Sequence, residues 1–97
     1  MRGPTGVRFQ RSTEVMSRRV GADVLVTIPT VDEVHELSGG ANAVWGDLQA
    51  PRTVVDLVAR LAAAHGAEPA AIEGQVVACL DTLLQLGVVE EVQDFDA

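Results

Sequence analysis

The hydrophobic residues change their spacing at Ser38, and this change divides the chain into two unlike parts. Before Ser38 they come in short runs, such as Asp23–Ile28, whose alternation is typical of β-strands. After Ser38 they recur every three or four residues, which is typical of helices that bury one face. Ser38 suits a helix N-cap, because its hydroxyl can accept a hydrogen bond from a backbone N–H two or three residues later. The pattern predicts a small sheet followed by helices, with Trp45, the only tryptophan, as an anchor of the core.

Three short strands are predicted before Ser38. The first two, 14–20 and 23–28, are separated by Gly21-Ala22, and a glycine at the first central position suits a two-residue type II′ turn. Pro29 ends the second strand, because proline has no N–H to give to a ladder. The third strand, 33–37, would be a free edge of the sheet, and its glutamates would discourage unwanted pairing.

Three helices are predicted after Ser38, and each is followed by a residue that breaks helices. Pro51 breaks the first. Thr53 suits the N-cap of the second, and Gly66 and Gly87 suit the left-handed residue that follows a helix. The predicted ranges are 38–49, 53–65 and 69–86 for the helices and 88–92 for a short C-terminal strand or wing.

These elements predict an α+β fold that is winged helix-turn-helix-like: a three-stranded antiparallel sheet, three helices and a short C-terminal wing. Residues 1–12 mix glycine, proline and arginine without sustained periodicity, so a flexible basic arm is expected there, with Val7 and Phe9 able to dock on the body. Residues 93–97 are expected to form an acidic tail. One folded domain is therefore predicted over residues 13–92.

Charge is unevenly placed along the chain, whose net charge is -7. Residues 1–19 hold five arginines and one acid, whereas residues 20–97 hold two arginines and thirteen acids. An acidic body repels nucleic acid, because affinity for phosphate backbones comes largely from cations that displace counterions. A nucleic-acid role would have to depend on the basic arm alone.

Cysteine usage and hydropathy indicate the setting in which the protein works. Cys79 is the only cysteine, so no intramolecular disulfide can form and a reducing cytoplasm is the simplest setting. No segment approaches the roughly 18 apolar residues of a membrane span, and the N-terminal arginines are not followed by the hydrophobic segment of a signal peptide. We expect a soluble cytoplasmic protein.

Candidate catalytic and cofactor-binding groups are few. His35 and His65 lie on different predicted elements without a cysteine or carboxylate at ligand spacing, so no metal site is expected. Cys79 lies in the apolar stripe of the third helix, where a thiol usually behaves as a small hydrophobe. Gly39-Gly40 matches no phosphate-binding fingerprint. We expect a non-catalytic protein without a cofactor.

Two kinds of function fit the predicted fold, and a third is open. A winged-helix DNA-binding regulator would use the third helix for recognition, but that helix has no lysine or arginine. A peptide-binding module would instead add an extended peptide to the free strand edge, beside the surplus apolar residues of the third helix. Val76, Cys79, Leu80 and Leu83 could receive apolar anchors of such a peptide. A structural subunit of a larger enzyme is the third alternative.

The order and spacing of several short motifs resemble those of the PqqD-like proteins. These are peptide chaperones, or precursor-peptide recognition elements, of pathways that make and modify ribosomal peptides. The resemblance covers about residues 13–91, with two departures: Ser38 and Gln75 stand where the family often has Asn and Asp. The matching segments are 24–26, 34–37, 51–58, 76–80 and 86–90, together with Trp45, His65, Gly66, Pro69 and Leu83.

The resemblance implies a module that binds the leader of a precursor peptide between the third strand and the third helix. It would then present the leader to a modifying enzyme, such as a radical enzyme, protease or cyclase, and it would bind neither nucleic acid nor membrane. A homodimer remains open, and the basic arm could attract an acidic leader or fold against the acidic body. The implied contact residues are Val34, His35, Glu36, Leu37, Gln75, Val76, Cys79, Thr82 and Leu83.

Overall fold

Two antiparallel sheets and three helices form the fold in the computed structural model, which describes residues 7–29 and 31–93. The predicted α+β class is confirmed, with a three-stranded sheet followed by three helices and a C-terminal strand. In chain order the elements are β1 (Val7–Arg11), β2 (Met16–Val20), β3 (Asp23–Ile28), β4 (Glu33–Leu37), α1 (Gly39–Gly46), α2 (Val54–His65), α3 (Pro69–Leu86) and β5 (Val89–Gln93).

The three-stranded sheet has the order β2-β3-β4, as predicted from the alternating segments. Val20 pairs with Asp23 across a two-residue turn, and Gly21 has the positive φ of +63° expected at its first central position. The first predicted strand begins at Met16 rather than at residue 14. Val24 and Val26 are buried on the inner face of the sheet, where they pack with the helices.

The second and third helices begin and end as predicted. The Thr53 hydroxyl accepts a hydrogen bond of 3.1 Å from the backbone N–H of Asp56, which caps α2. Gly66 and Gly87 follow α2 and α3 with φ of 63° and 82°, a backbone conformation that glycine adopts at little steric cost.

The first helix differs from its prediction at both ends. Ser38 has the extended backbone of an N-cap residue, but its hydroxyl makes no capping hydrogen bond. The helix ends at Gly46 rather than near Gln49. Its end is fixed by Arg52, whose Nε donates a 2.7 Å hydrogen bond to the carbonyl oxygen of Asp47, the residue that follows α1.

The N-terminal strand is the main correction to the prediction of a flexible arm over residues 1–12. Residues 7–11 pair with β5, with Phe9 opposite Glu91, and residue 93, predicted to begin the tail, is the last residue of β5. Phe9 also exchanges two backbone hydrogen bonds with Arg52, of 2.8 and 3.0 Å. Its ring is buried, as expected for a docked side chain. Residues 1–6 and 94–97, the rest of the predicted arm and tail, lie outside the described residues.

The core lies between the inner face of the sheet and the three helices, and Trp45 belongs to it as predicted. The Arg11 side chain lies over the Trp45 ring, 4.5 Å from its centroid, and its terminal nitrogen donates a 2.8 Å hydrogen bond to the Trp45 carbonyl oxygen. This arginine therefore joins β1 to the end of α1. The largest fully buried side chains are those of Val26, Val44, Leu48, Leu57, Leu83 and Val88.

Candidate functional site

The outer edge of β4 pairs with no strand within the described residues. The backbone groups on this edge follow from the turn between β2 and β3. A two-residue hairpin turn closes on a hydrogen-bonded pair, here Val20 and Asp23, so the N–H and C=O of Asp23 point toward β2. The N–H and C=O of the next residue, Val24, therefore point toward β4. The same alternation along the β3–β4 register directs the backbone groups of Val34 and Glu36 outward, and those of His35 toward β3.

The side chains of β4 divide in the same alternating way. Val34 and Glu36 are exposed on the outer face of the sheet, with Val34 61% exposed. His35 and Leu37 lie on the inner face, where His35 shares a 3.1 Å hydrogen bond with Glu33 and Leu37 is buried in the core. Val34 and Glu36 thus direct their backbone groups to the open edge and their side chains to the outer face, whereas the backbone groups of His35 and Leu37 hold the strand to β3.

A mainly apolar cavity of about 320 Å³ lies among α1, α2 and α3. Gln75, Val76 and Cys79, three of the residues predicted to contact a peptide, line its α3 side. The residues of β4 do not line the cavity. The structure therefore divides the predicted site into an open strand edge and a cavity, with the first turn of α1 between them. The remaining lining residues are Gly40, Ala43, Val44, Leu61, His65 and Ile72.

The first turn of α1 touches α3 where Gly40 meets Cys79. A Cβ placed on Gly40 would lie 2.8 Å from the Cys79 sulfur, a separation that real Cβ atoms essentially never show. Because α1 begins two residues after β4 ends, this contact fixes the end of β4 relative to the middle of α3. Gly40 thus lies both on the cavity wall and three residues after the end of β4.

Two predicted contact residues, Thr82 and Leu83, are not brought to the cavity. The Thr82 hydroxyl is exposed and donates a 3.1 Å hydrogen bond to the carbonyl oxygen of Ala78 on its own helix. Leu83 has no exposed surface and packs in the core. The cavity faces the part of α3 from Ile72 to Cys79, and Leu83 lies one turn further along, under the start of β5.

Sequence reasoning missed the contribution of α1 and of the end of α2. His65, the last residue of α2, lines the cavity beside Leu61, which the sequence did not predict. The available signal was the Gly39-Gly40 pair, since consecutive glycines at a helix start often mark the close approach of another backbone or side chain.

The open edge carries an acidic pair. The carboxyl groups of Glu36 and Asp23 lie on the outer face of the sheet and share a hydrogen bond. This hydrogen bond, followed by the repulsion between the two charges, raises the pKa of Glu36 above its ordinary value. The third helix, which a DNA-binding winged helix would use for recognition, carries Glu73 and Asp81 and has no lysine or arginine.

Within residues 7–29 and 31–93, no group of three or more histidine, cysteine or acidic side chains is placed to hold a metal ion. No helix in this part of the chain is both long and apolar enough to cross a membrane. The described surface is therefore characterised by the open edge and the cavity rather than by a cluster of reactive groups.

Residues 15–89 match a protein-family model described as coenzyme PQQ synthesis protein D (PqqD). No curated protein matches the chain. Among solved structures, that of TbiB1 in complex with the TbiA(beta) leader peptide has a TM-score of 0.73 and 16% identity, over 84% of this chain and 94% of the other.

A second similar structure is the solution structure of the PqqD truncation of Methylobacterium extorquens PqqCD, described as a functional, stand-alone recognition element for ribosomally synthesised and modified peptides. It has a TM-score of 0.68 and 24% identity, over 86% of this chain and 88% of the other. At these identities the two structures show a shared fold.

Proposed function

Because the chain belongs to the PqqD family, we propose that it is a non-catalytic domain that binds the leader segment of a ribosomally made precursor peptide. The leader adds as a further strand to the open edge of β4, and the bound precursor is presented to a modifying enzyme. That enzyme would be of the radical, protease or cyclase type.

The outward backbone groups of Val34 and Glu36, on a strand adjoining an apolar cavity, carry this proposal. Backbone hydrogen bonds contribute only about 0.5–1.5 kcal/mol each, while association costs at least about 4 kcal/mol in lost freedom. Apolar anchors must supply the remainder, at roughly 1.5–3 kcal/mol for each fully buried side chain. The cavity provides room for such an anchor beside Val76 and Cys79.

The descriptions of the two similar structures support the proposal. TbiB1 is described in complex with a leader peptide, and the Methylobacterium extorquens domain is described as a recognition element. The open strand edge of β4 in this chain, followed directly by α1, is consistent with the same mode of binding.

We propose fewer contact residues than the sequence predicted. Val34 and Glu36 pair with the peptide backbone, and Gln75, Val76 and Cys79 receive an apolar side chain. His35 and Leu37 act indirectly, because their backbone groups bond to β3. Thr82 and Leu83 are assigned no direct contact, since one lies away from the cavity and the other is buried.

Val34→Pro tests strand addition, because it deletes an N–H that points to the open edge and takes no part in the β3–β4 ladder. The probe is a synthetic leader peptide, taken from a short precursor reading frame identified near the gene for this protein and titrated by calorimetry. We expect affinity to fall at least roughly fivefold, since a hydrogen bond and the fit of the added strand are both lost.

Ser17→Pro is the matched control. Ser17 points its N–H outward from β2, the opposite edge of the same sheet, so this variant should bind the leader with unchanged affinity. Circular dichroism should show that both variants fold. Equal affinity of wild type and a folded Val34→Pro variant would disprove strand addition to β4.

A further inference from the structure

The strand and the helix that bound the proposed site, β4 and α3, carry acidic side chains and no lysine or arginine. β4 holds Glu33 and Glu36. α3 holds Glu73 and Asp81, of which Asp81 lines a separate groove with Phe9 and Val54, away from the α3 residues that line the cavity. The sequence has no lysine or arginine in residues 20–51, which include β3, β4 and α1, or in residues 61–93, which include α3 and β5. Apart from His35, which shares a hydrogen bond with Glu33, the ionisable side chains of β4 are therefore all acidic.

Three of the other arginines are engaged elsewhere. Arg60 lies 3.0 Å from the carboxylate of Asp47, and Arg52 lies 3.3 Å from that of Asp56. Arg11 donates both of its described hydrogen bonds to the Trp45 carbonyl oxygen. In the described residues none of these three arginines pairs with an acidic side chain of β4 or α3, and the basic partner within β4 is His35, whose Nε2 lies 3.1 Å from the Glu33 carboxylate.

Arg18 and Arg19 lie on β2, the opposite edge of the sheet. Two strand spacings, about 10 Å, separate that edge from β4. Arg18 shares the outer face of the sheet with Glu36, on the other side of Leu25, but forms no ion pair with it in the described residues. The sheet thus has a basic edge and an acidic edge.

The acidic charge is densest at Glu36, on the strand that would accept the leader. On the outer face of the sheet Glu36 stands opposite Leu25 and diagonal to Asp23 on the neighbouring strand, so two carboxyl groups lie close together there. A strand added to β4 would place one of its side chains directly opposite Glu36, with Cβ atoms about 5 Å apart. Opposite charges at such a position stabilise a sheet, and like charges destabilise it.

We infer that the site selects a leader segment of net positive charge, with a lysine or arginine opposite Glu36 and an apolar side chain in the cavity. This inference rests on the proposed function. The basic side chain would neutralise the Glu36–Asp23 pair as it bound. The lining by Val44, Leu61 and Val76 favours an apolar occupant of the cavity. Complementary charge of this kind speeds encounter and discriminates among peptides of similar apolar content.

The experiment measures the affinity of the neighbouring precursor's leader for wild type and for Glu36→Gln. We expect a roughly two- to fivefold loss of affinity for Glu36→Gln, from the loss of one cross-strand charge pair. Glu91→Gln is the matched control, because it removes one exposed acid from β5 in the other sheet, and it should bind as wild type does. Raising the salt concentration should weaken wild-type binding more than binding by Glu36→Gln.

A charge exchange identifies the opposing residue. Glu36→Lys should weaken binding further, and replacing the leader's partner lysine or arginine by glutamate should restore affinity to that variant while weakening binding to wild type. A scrambled leader of the same composition should bind more weakly than the native one, which separates a placed charge from general attraction to an acidic protein.

The possible outcomes distinguish a failure of the charge inference from a failure of the proposed function. A leader that binds with equal affinity to wild type, Glu36→Gln and Glu91→Gln, or whose shortest binding segment has no lysine or arginine, overturns the charge inference while strand addition stands. A leader that fails to bind wild type at all overturns the proposed function itself.

Discussion

Gly40 and Cys79 are in such close contact that a Cβ at Gly40 would lie 2.8 Å from the Cys79 sulfur. The contact joins the first turn of α1 to the middle of α3, between the open edge of β4 and the cavity. Both residues line the cavity. A change in side-chain volume at this point should therefore alter both stability and the shape of the proposed site.

Gly40→Ala should destabilise the protein by about 1–3 kcal/mol, because the added methyl group must displace Cys79 or move α1 away from α3. The measurement is the free energy of unfolding in urea. Gly74→Ala is the matched control: Gly74 lies within α3 with nothing within 4 Å of an added Cβ. Alanine there should raise stability by roughly 0.5–1 kcal/mol, through the ordinary preference of helix interiors for alanine.

The double variant Gly40→Ala/Cys79→Ala tests whether the sulfur is the obstacle. Removing the sulfur makes room for the new methyl group, so the two changes should be strongly non-additive, with a coupling of about 1 kcal/mol or more. Strict additivity would show that the loss in Gly40→Ala has a different origin.

Arg11→Ala should destabilise the protein by about 1–3 kcal/mol. The variant loses the hydrogen bonds to the Trp45 carbonyl oxygen and the contact between the guanidinium and the Trp45 ring. Arg19→Ala, an exposed position on β2, should change stability by no more than about 0.5 kcal/mol. Thermal unfolding followed by tryptophan fluorescence compares the two, and equal small losses would show that the Arg11–Trp45 contact is unimportant for stability.

Phe9→Ala should cost about 3–5 kcal/mol, because it leaves a large cavity where β1 packs against the core. Arg8→Ala is a surface control on the same strand, and its loss should be smaller. Urea unfolding measures both. A loss below about 1 kcal/mol for Phe9→Ala would indicate that β1 contributes little to the folded domain, as expected for a loose arm.

β1 shows why part of the fold could not be predicted from the sequence. β3, β4, α2 and α3 were predicted because their signals are local: alternation, a capping threonine and glycines placed after helices. β1 depends on pairing with β5, and Gln10 donates its side-chain hydrogen bond to Glu90, 80 residues away. Its sequence, five residues rich in arginine and glutamine, has no pattern that identifies such a distant partner.

The candidate site, like the fold, could be predicted only in part from the sequence. The free edge followed from the order of three strands, because the last strand of a meander has one unpaired side. The cavity did not follow, because it depends on how α1 and α2 pack on α3. A broad apolar stripe placed Val76 and Leu83 together on α3, and only packing distinguishes a residue that lines a cavity from one that is fully buried.

The acidic pair at the open edge predicts a dependence of stability on pH. Its hydrogen bond to Asp23 and the repulsion between the two charges raise the pKa of Glu36 in the folded protein. A carboxyl group with a raised folded-state pKa binds its proton more tightly when folded. Its stabilising contribution is therefore fully present below the unfolded-chain pKa and is lost as pH rises through the folded-state pKa.

Glu36→Gln removes this titration, so wild type should lose stability relative to the variant as pH rises from about 4 to about 7, across and above the ordinary glutamate range. The measurement is the difference between the two unfolding midpoints in urea at several pH values. Asp23→Asn should abolish the same pH dependence of stability, because it removes the partner of Glu36. The double variant Glu36→Gln/Asp23→Asn should show no further change in this pH dependence. A difference between wild type and Glu36→Gln that stays constant over this range would show that the two carboxyl groups do not interact in solution.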